Sequence, residues 1–314
     1  YNTAVGYQAL KDVTTGERNT AVGRNVLSQT SGSKNTALGM NCMEQNSSGE
    51  QNTAVGTRAL VNNTTANNNC AVGNDALYAN TTGTQNNAVG SAALDACTTG
   101  ERNQAMGYNA LSAEDTGSRS VAIGYYALAN QDNNNDNYNV AIGQDALGVN
   151  TAADNVAVGV NSLTANTTGS PNTALGTKAM TSNTTGTNNT GLGYQALYTN
   201  TTGARHVAVG DGALYYNTTG THNTAVGSLA LQQNTTGGYN TAVGYETMDA
   251  NTTASNNTAV GHAALGANTT GAGAVAVGAY CLDANTTGQN NTAVGHSALT
   301  GITTGSNVTA MGTN

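Results

Sequence analysis

Apolar residues recur along this chain in two fixed phases of a 17-residue period. The period is anchored by a Gly that closes an Ala-Val-Gly-like triplet, at Gly6, Gly23, Gly39, Gly56, Gly73, Gly90, Gly107, Gly124, Gly143, Gly159, Gly176, Gly193, Gly210, Gly227, Gly244, Gly261, Gly278, Gly295 and Gly312. Of the 18 intervals between these 19 anchors, fifteen are 17 residues, two are 16 and one, Gly124 to Gly143, is 19. The consensus reads N-T-A-V-G-x-x-A-L-x-x-N-T-T-G-x-x. The residue before the anchor is always Val, Leu, Ile or Met, and Leu or Met follows four residues after it. Self-similarity of this kind sets the architecture before local propensity does. T-A-V reads as a short strand and A-L as a second extended stretch. N-T-T-G and the anchor Gly supply corners, since Gly and Asn accept left-handed backbone. Seventeen residues are too few for a helix–turn–helix unit, and Asn-Thr-Thr-Gly interrupts a helix.

The expected fold is therefore all-β: a parallel β-solenoid of about 19 coils of 17 residues, two short strands per coil, running as one continuous array over 1–314 with an irregular longer coil at 125–143. At the interstrand spacing of about 4.8 Å, nineteen coils span roughly 90 Å. The Val-class and Leu/Met phases are the expected core. The residue between the strand's Thr and Val is Ala in 18 of 19 units and Gly191 in the other. On an alternating strand it faces away from both neighbours. With the bulky pair assigned inward, the Ala face points outward, and its small size implies close contact with another chain. A cyclic homo-oligomer, three Ala faces around one axis, meets that need. A lone thin coil also buries little apolar surface against the entropy of ordering 17 residues.

Asn occupies the first N-T-T position in twelve of 18 units, from Asn46 to Asn285, and most units place Asn three residues before the Val-class position, as in Asn2, Asn19, Asn52, Asn223 and Asn291. Two roles stay open: ladders of identical side chains bonded up and down the stack, or each Asn satisfying its own turn.

Composition narrows the functional classes. There is no Phe or Trp, and charged residues are 8%, far below the roughly 25% of ordinary globular chains. A net charge of -8 with nine scattered Lys and Arg argues against nucleic-acid or anionic-membrane partners. No apolar run approaches a membrane span. The chain starts inside one repeat and stops just after another begins, without atypical terminal units, so it reads as a segment of a longer protein.

Ser120-Val121-Ala122-Ile123-Gly124, Asn139-Val140-Ala141-Ile142-Gly143 and Asn155-Val156-Ala157-Val158-Gly159 resemble the head repeats of trimeric autotransporter adhesins of the YadA type, and the whole array is similar to repeat arrays in bacterial surface and phage tail-fibre proteins. The resemblance implies a trimeric, left-handed parallel β-roll, exposed on a cell or virion surface, that contacts host matrix, glycan or cell surfaces. The family repeat is nearer 14 residues; here the N-T-T corner lengthens each coil.

No catalytic constellation stands out, and neither a cofactor nor a metal is expected. His206, His222, His262 and His296 read as surface side chains; His262 and His296 share a phase but lie two coils apart, too far for one zinc ion. Cys42 and Cys281 replace the Ala of A-L, while Cys70 and Cys97 lie at other phases, so no intrachain disulfide is expected. Asp132 and Asp136 in the long coil offer oxygen ligands for Ca²⁺ but lack an EF-hand pattern. N-T-T triplets are formal glycosylation acceptors. Tyr7, Tyr108, Tyr125, Tyr194 and Tyr245, just after anchors, form a candidate aromatic stripe for sugar or protein. The expected function is a non-enzymatic structural shaft of a fibrous surface appendage, self-associating laterally and stacking end to end. The alternative is an ice-binding solenoid, motivated by the Thr ladders of N-T-T. A solenoid hydrolase or lyase ranks last, because it needs clustered carboxylates and Glu114-Asp115 is the one adjacent acidic pair.

Overall fold

The computed structural model describes residues 1–131 and 136–313. It is all-β: nineteen parallel strands form a β-solenoid of about 18 turns, and no helix occurs among the described residues. The chain divides into two compact units, Tyr1–Asn155 and Val156–Asn314. The first runs from β1 (Thr3–Val5) to β9 (Val140–Ile142), and the second begins within β10 (Asn155–Val158) and ends at β19 (Thr309–Met311). Within each unit every strand pairs in parallel with the strand of the next coil, at a register that puts like on like: Thr241 on Thr258, Ala242 on Ala259, Val243 on Val260.

Each coil carries one strand, not the two expected. The A-L stretch is a turn, and the reason lies in its burial. Ala59 and Leu60, like Ala230 and Leu231, are both fully buried, whereas adjacent residues of a strand face opposite sides. The backbone turns both inward by placing Leu in the left-handed region: the Leu or Met of all 18 such positions has φ between 46 and 58°. Only a γ-branched or unbranched side chain suits this conformation, since β-branched residues there are genuine outliers. The strain is held by a ladder of its own, in which Leu60 N–H donates to Ala76 O (3.0 Å) and Leu77 N–H to Ala93 O (3.1 Å). The N-T-T-G glycines, expected to supply positive φ, do not adopt it; of the two corner glycines only the anchor does. At the anchor a Cβ has no room: built on Gly244 (φ 138°), it would sit 2.4 Å from Gly261 O of the next coil.

The facing of the strands is the reverse of the expectation. The strand Ala is inside, fully buried from Ala21 through Ala293 in nearly every coil, while the Val-class residue and the Thr point out. Leu38, Met106, Leu175 and Leu192 are 40–53% exposed. Ala is small because its own coil interior is already occupied. Leu, a second Ala and two Asn share the same cross-section, leaving room for one methyl. Gly191, the single exception, lies against Met180: a Cβ there would stand 3.0 Å from Met180 Cγ. The Ala face is thus consumed within the coil and cannot form a threefold contact.

Asn in both phases is buried and forms ladders over runs of successive coils. In the inner ladder, Asn240 N–H donates to Asn223 Oδ1 (2.9 Å) and Asn240 Nδ2 to Ala254 O (2.8 Å). In the corner ladder, Asn217 Nδ2 donates to Asn200 Oδ1 (2.7 Å), and Asn234 Nδ2 donates to Asn217 Oδ1 (2.8 Å) and to its own Gly237 O (3.0 Å). The two roles left open by the sequence therefore hold together. The first Thr of each N-T-T adds a hydroxyl ladder, with Thr218 Oγ1 donating to Thr235 O and Thr235 Oγ1 to Thr252 O. Most of these buried amides are satisfied by the neighbouring coil and by their own turn, as burial requires.

The left-handed Leu makes a direct prediction. Leu231→Ile conserves volume but puts a β-branch at φ 52°, so it should cost about 2 kcal/mol or more in denaturant melts, whereas Leu231→Met should cost less than about 1.5 kcal/mol. Equal costs would remove the steric account of this position.

Candidate interaction face

Because Ala turns inward, the outer strand surface presents the Thr and Val phases. Across 19 coils these 38 positions hold no charged residue. The Val phase is apolar throughout; the Thr phase is Thr except at Cys70, Asn87, Gln104, Val121, Val140, Val156, Val207 and Val275. In the second unit seven of the nine strands from Thr173 to Thr309 carry Thr there. In the first unit the Thr-free stretch opens a shallow groove of about 210 Å³ walled by Val89, Met106, Val121 and Ile123, with Asn87 Nδ2 donating to Gln104 Oε1 (2.7 Å) on its rim. Exposed apolar surface that extends over many coils makes this face the candidate for an interaction site.

Charge lies elsewhere on the coils, and two of its ion pairs run between coils. Arg58 meets Asp75 at 2.6 Å and covers the Tyr78 ring at 5.3 Å. Arg119 pairs with Asp136, whose carboxylate is thereby engaged by a cation of the protein itself. Asp132, the other ligand of the supposed Ca²⁺ loop, lies outside the described residues. No group of three or more His, Cys, Asp or Glu suited to a metal ion occurs among the described residues.

The tyrosines after the anchors are exposed, and several stack across coils. Tyr108 and Tyr125 have centroids 5.5 Å apart, nearly parallel. In the second unit Tyr245, His262, Tyr280 and His296 form a run with successive centroid distances of 5.5, 4.8 and 6.0 Å. Tyr280 stands between the two histidines that share a phase. His222 is half-buried and stacks on Tyr239 (4.6 Å).

His206 departs from the surface reading. It is buried in the inner ladder, at the phase occupied by Asn189 and Asn223, and phase alignment of A-R-H-V-A-V-G with T-H-N-T-A-V-G shows this directly. Burial pulls its pKa down to about 4, against the opposing effect of its hydrogen bonds. Glu114 and Gln131 take corner positions: Glu114 accepts from Gly117 N–H (2.6 Å), Gln131 Nε2 (2.7 Å) and Asn137 Nδ2 (2.8 Å). Cys97 takes another corner position and breaks the chain of donors. Its thiol turns to Gly100 O (3.6 Å), and Asn80 Oδ1, which an Asn in its place would cap, has no partner. The N-T-T asparagines, formal glycan acceptors, are buried with Nδ2 engaged, from Asn46 to Asn285.

No family model matches the chain, and no curated protein matches it in sequence.

All four cysteines are free thiols. Cys42 and Cys97 are buried, and burial pushes both up to about 12; Cys281 is buried and also raised by burial. Cys70, at a Thr phase, is part-exposed. Since the thiolate is the reactive form, a disulfide reagent at pH 8 should label one thiol per native chain, Cys70, and four after denaturation. Rapid native labelling of Cys42 or Cys97 would contradict the packing.

Proposed function

We propose that this chain is a non-enzymatic structural shaft segment of a fibrous appendage on a cell or virion surface, and that copies of it associate laterally through the Thr/Val face. The observation that carries the reading is the division of labour within each coil. Inner positions are committed to ladders with the neighbouring coils, while the outer strand face repeats one uncharged, half-exposed pattern over the array. Such a unit extends by adding coils and has no need of a particular sequence on its remaining sides.

A second copy suits the face because like phases meet like phases. Each coil offers two partly exposed side chains, on the order of 100 Å² together, so about eight coils reach the ~800 Å² per partner of a stable interface. The nine strands of the second unit alone meet that size. A homotrimer remains the proposed form, now through the Val stripe rather than the Ala face, in keeping with the resemblance to trimeric adhesin heads. The exposed tyrosines lie away from the strand face in sequence phase and are left to meet host matrix or glycan.

A second reading has one specific observation behind it. Thr sits on the flat strand face itself, in seven of nine successive strands of the second unit, which is a better surface for ordering water than the N-T-T corner. The two readings compete for the same face, so they are separable. Light scattering after size exclusion should give a mass near three times 31.4 kDa, and Val243→Lys with Val260→Lys should yield a folded monomer. A wild-type monomer would overturn the lateral association, and thermal hysteresis in that monomer would favour the ice-binding reading; none would dismiss it.

A further inference from the structure

The inner ladder has 19 positions, and the residues other than Asn are Ser120, His206, Ala274 and Val308. His206 is thus its one titratable member. Its neutral ring reproduces an Asn in both senses. Asn189 accepts from His206 N–H through Oδ1 (3.0 Å) and donates from Nδ2 to Gly203 O (2.9 Å). One coil on, His206 Nδ1 accepts from Asn223 N–H (3.2 Å), and Nε2 donates to Gly220 O (2.7 Å). Nδ1 is the acceptor, so Nε2 carries the hydrogen. Asn217 Nδ2 stands 3.1 Å from Nε2 and gives its short hydrogen bond to Asn200 Oδ1 (2.7 Å). A second proton on the ring would set N–H against N–H at Asn223, in a site sealed from water (His206 is 1% exposed).

The surrounding charges do nothing to relieve that conflict. Arg205 precedes His206 on its coil, and His222 lies on the next; Arg205 and His222 meet at 3.0 Å, and His222 disfavours a charge on His206. The other partners, Asn189 before it, Gly220 and Asn217 at the corner, and Asn223 after it, are neutral amides.

We propose that His206 is an acid-opening point: its protonation breaks the inner ladder between the coils of Asn189 and Asn223, while ladder members that do not titrate hold the coils beyond. The inference goes beyond the shaft reading and stands whether or not copies associate. The direction follows from linkage. An exposed His in the opened chain gains its proton below about 6.5, whereas the folded ring, with its pKa lowered to about 4, stays neutral. Opening is therefore favoured progressively as pH falls from about 6.5 to about 4 and levels off below.

The test is residue-resolved amide hydrogen exchange on the full chain, corrected for intrinsic rates, between pH 7 and 4.5. In the wild type, protection of amides from Thr190 to Asn223 should fall by roughly fiftyfold over that range, and in His206→Asn, which restores the consensus residue, it should stay level. Equal pH slopes in the two proteins would overturn the proposal. A ¹³C titration of His206 in the unmodified chain supplies an independent check: an ordinary titration near 6.5 with coils intact also overturns it, while a ring that titrates only with loss of local protection supports it.

Discussion

Everything in this structure depends on the contact each coil makes with the next at the spacing of adjacent strands. At about 4.8 Å, a side chain inside the coil has its own counterpart as its nearest neighbour above and below. It must therefore tolerate a copy of itself. Ala does so without crowding, Leu does so by dispersion contact, and Asn does so because it is donor and acceptor at once. The corner ladder shows the last point most directly, with Asn200, Asn217 and Asn234 bonded head to tail. Ladders of this kind replace the large apolar core of an ordinary domain, and they explain why a chain with no Phe or Trp builds ordered coils.

The same constraint accounts for the exceptions. A ladder member that cannot both give and accept leaves a mark on its neighbour, as Cys97 does on Asn80. One that can do both, such as His206, passes unnoticed at neutral pH. Where Glu114 and Gln131 replace Asn, the following long coil supplies Asn137 as a further donor. Outside the coils the constraint lapses, and there the repeats vary: tyrosines, ion pairs and the Asn87–Gln104–Val121 interruption all lie on outer positions.

The parallel coil, its period and its corner Asn were legible in the spacing of the anchor glycines. The facing was not, because a T-A-V alternation fixes which residues oppose each other but not which side is the interior. Assigning bulk inward fails in an interior already filled by Leu and two Asn. A decisive signal was nevertheless present: the phase before the anchor accepts Val and Ile, whereas the A-L phase accepts only Leu and Met. That exclusion is what a left-handed residue demands, and it separates the turn from the strand. The burial of His206 was equally readable from its phase.

The central claim is that polar ladders between coils hold the interior, and Asn234→Ala tests it most directly. Asn217 Oδ1 would lose its donor and Asn251 Nδ2 would lose one of its two acceptors, keeping Ala254 O, with both side chains buried. One stranded acceptor at about 1–3 kcal/mol and one lost amide hydrogen bond at about 1 kcal/mol predict a loss of about 2–4 kcal/mol in equilibrium unfolding, with amide protection lost in the coils on both sides of residue 234. A loss below about 0.5 kcal/mol, or one confined to the Asn234–Gly237 turn, would contradict the account.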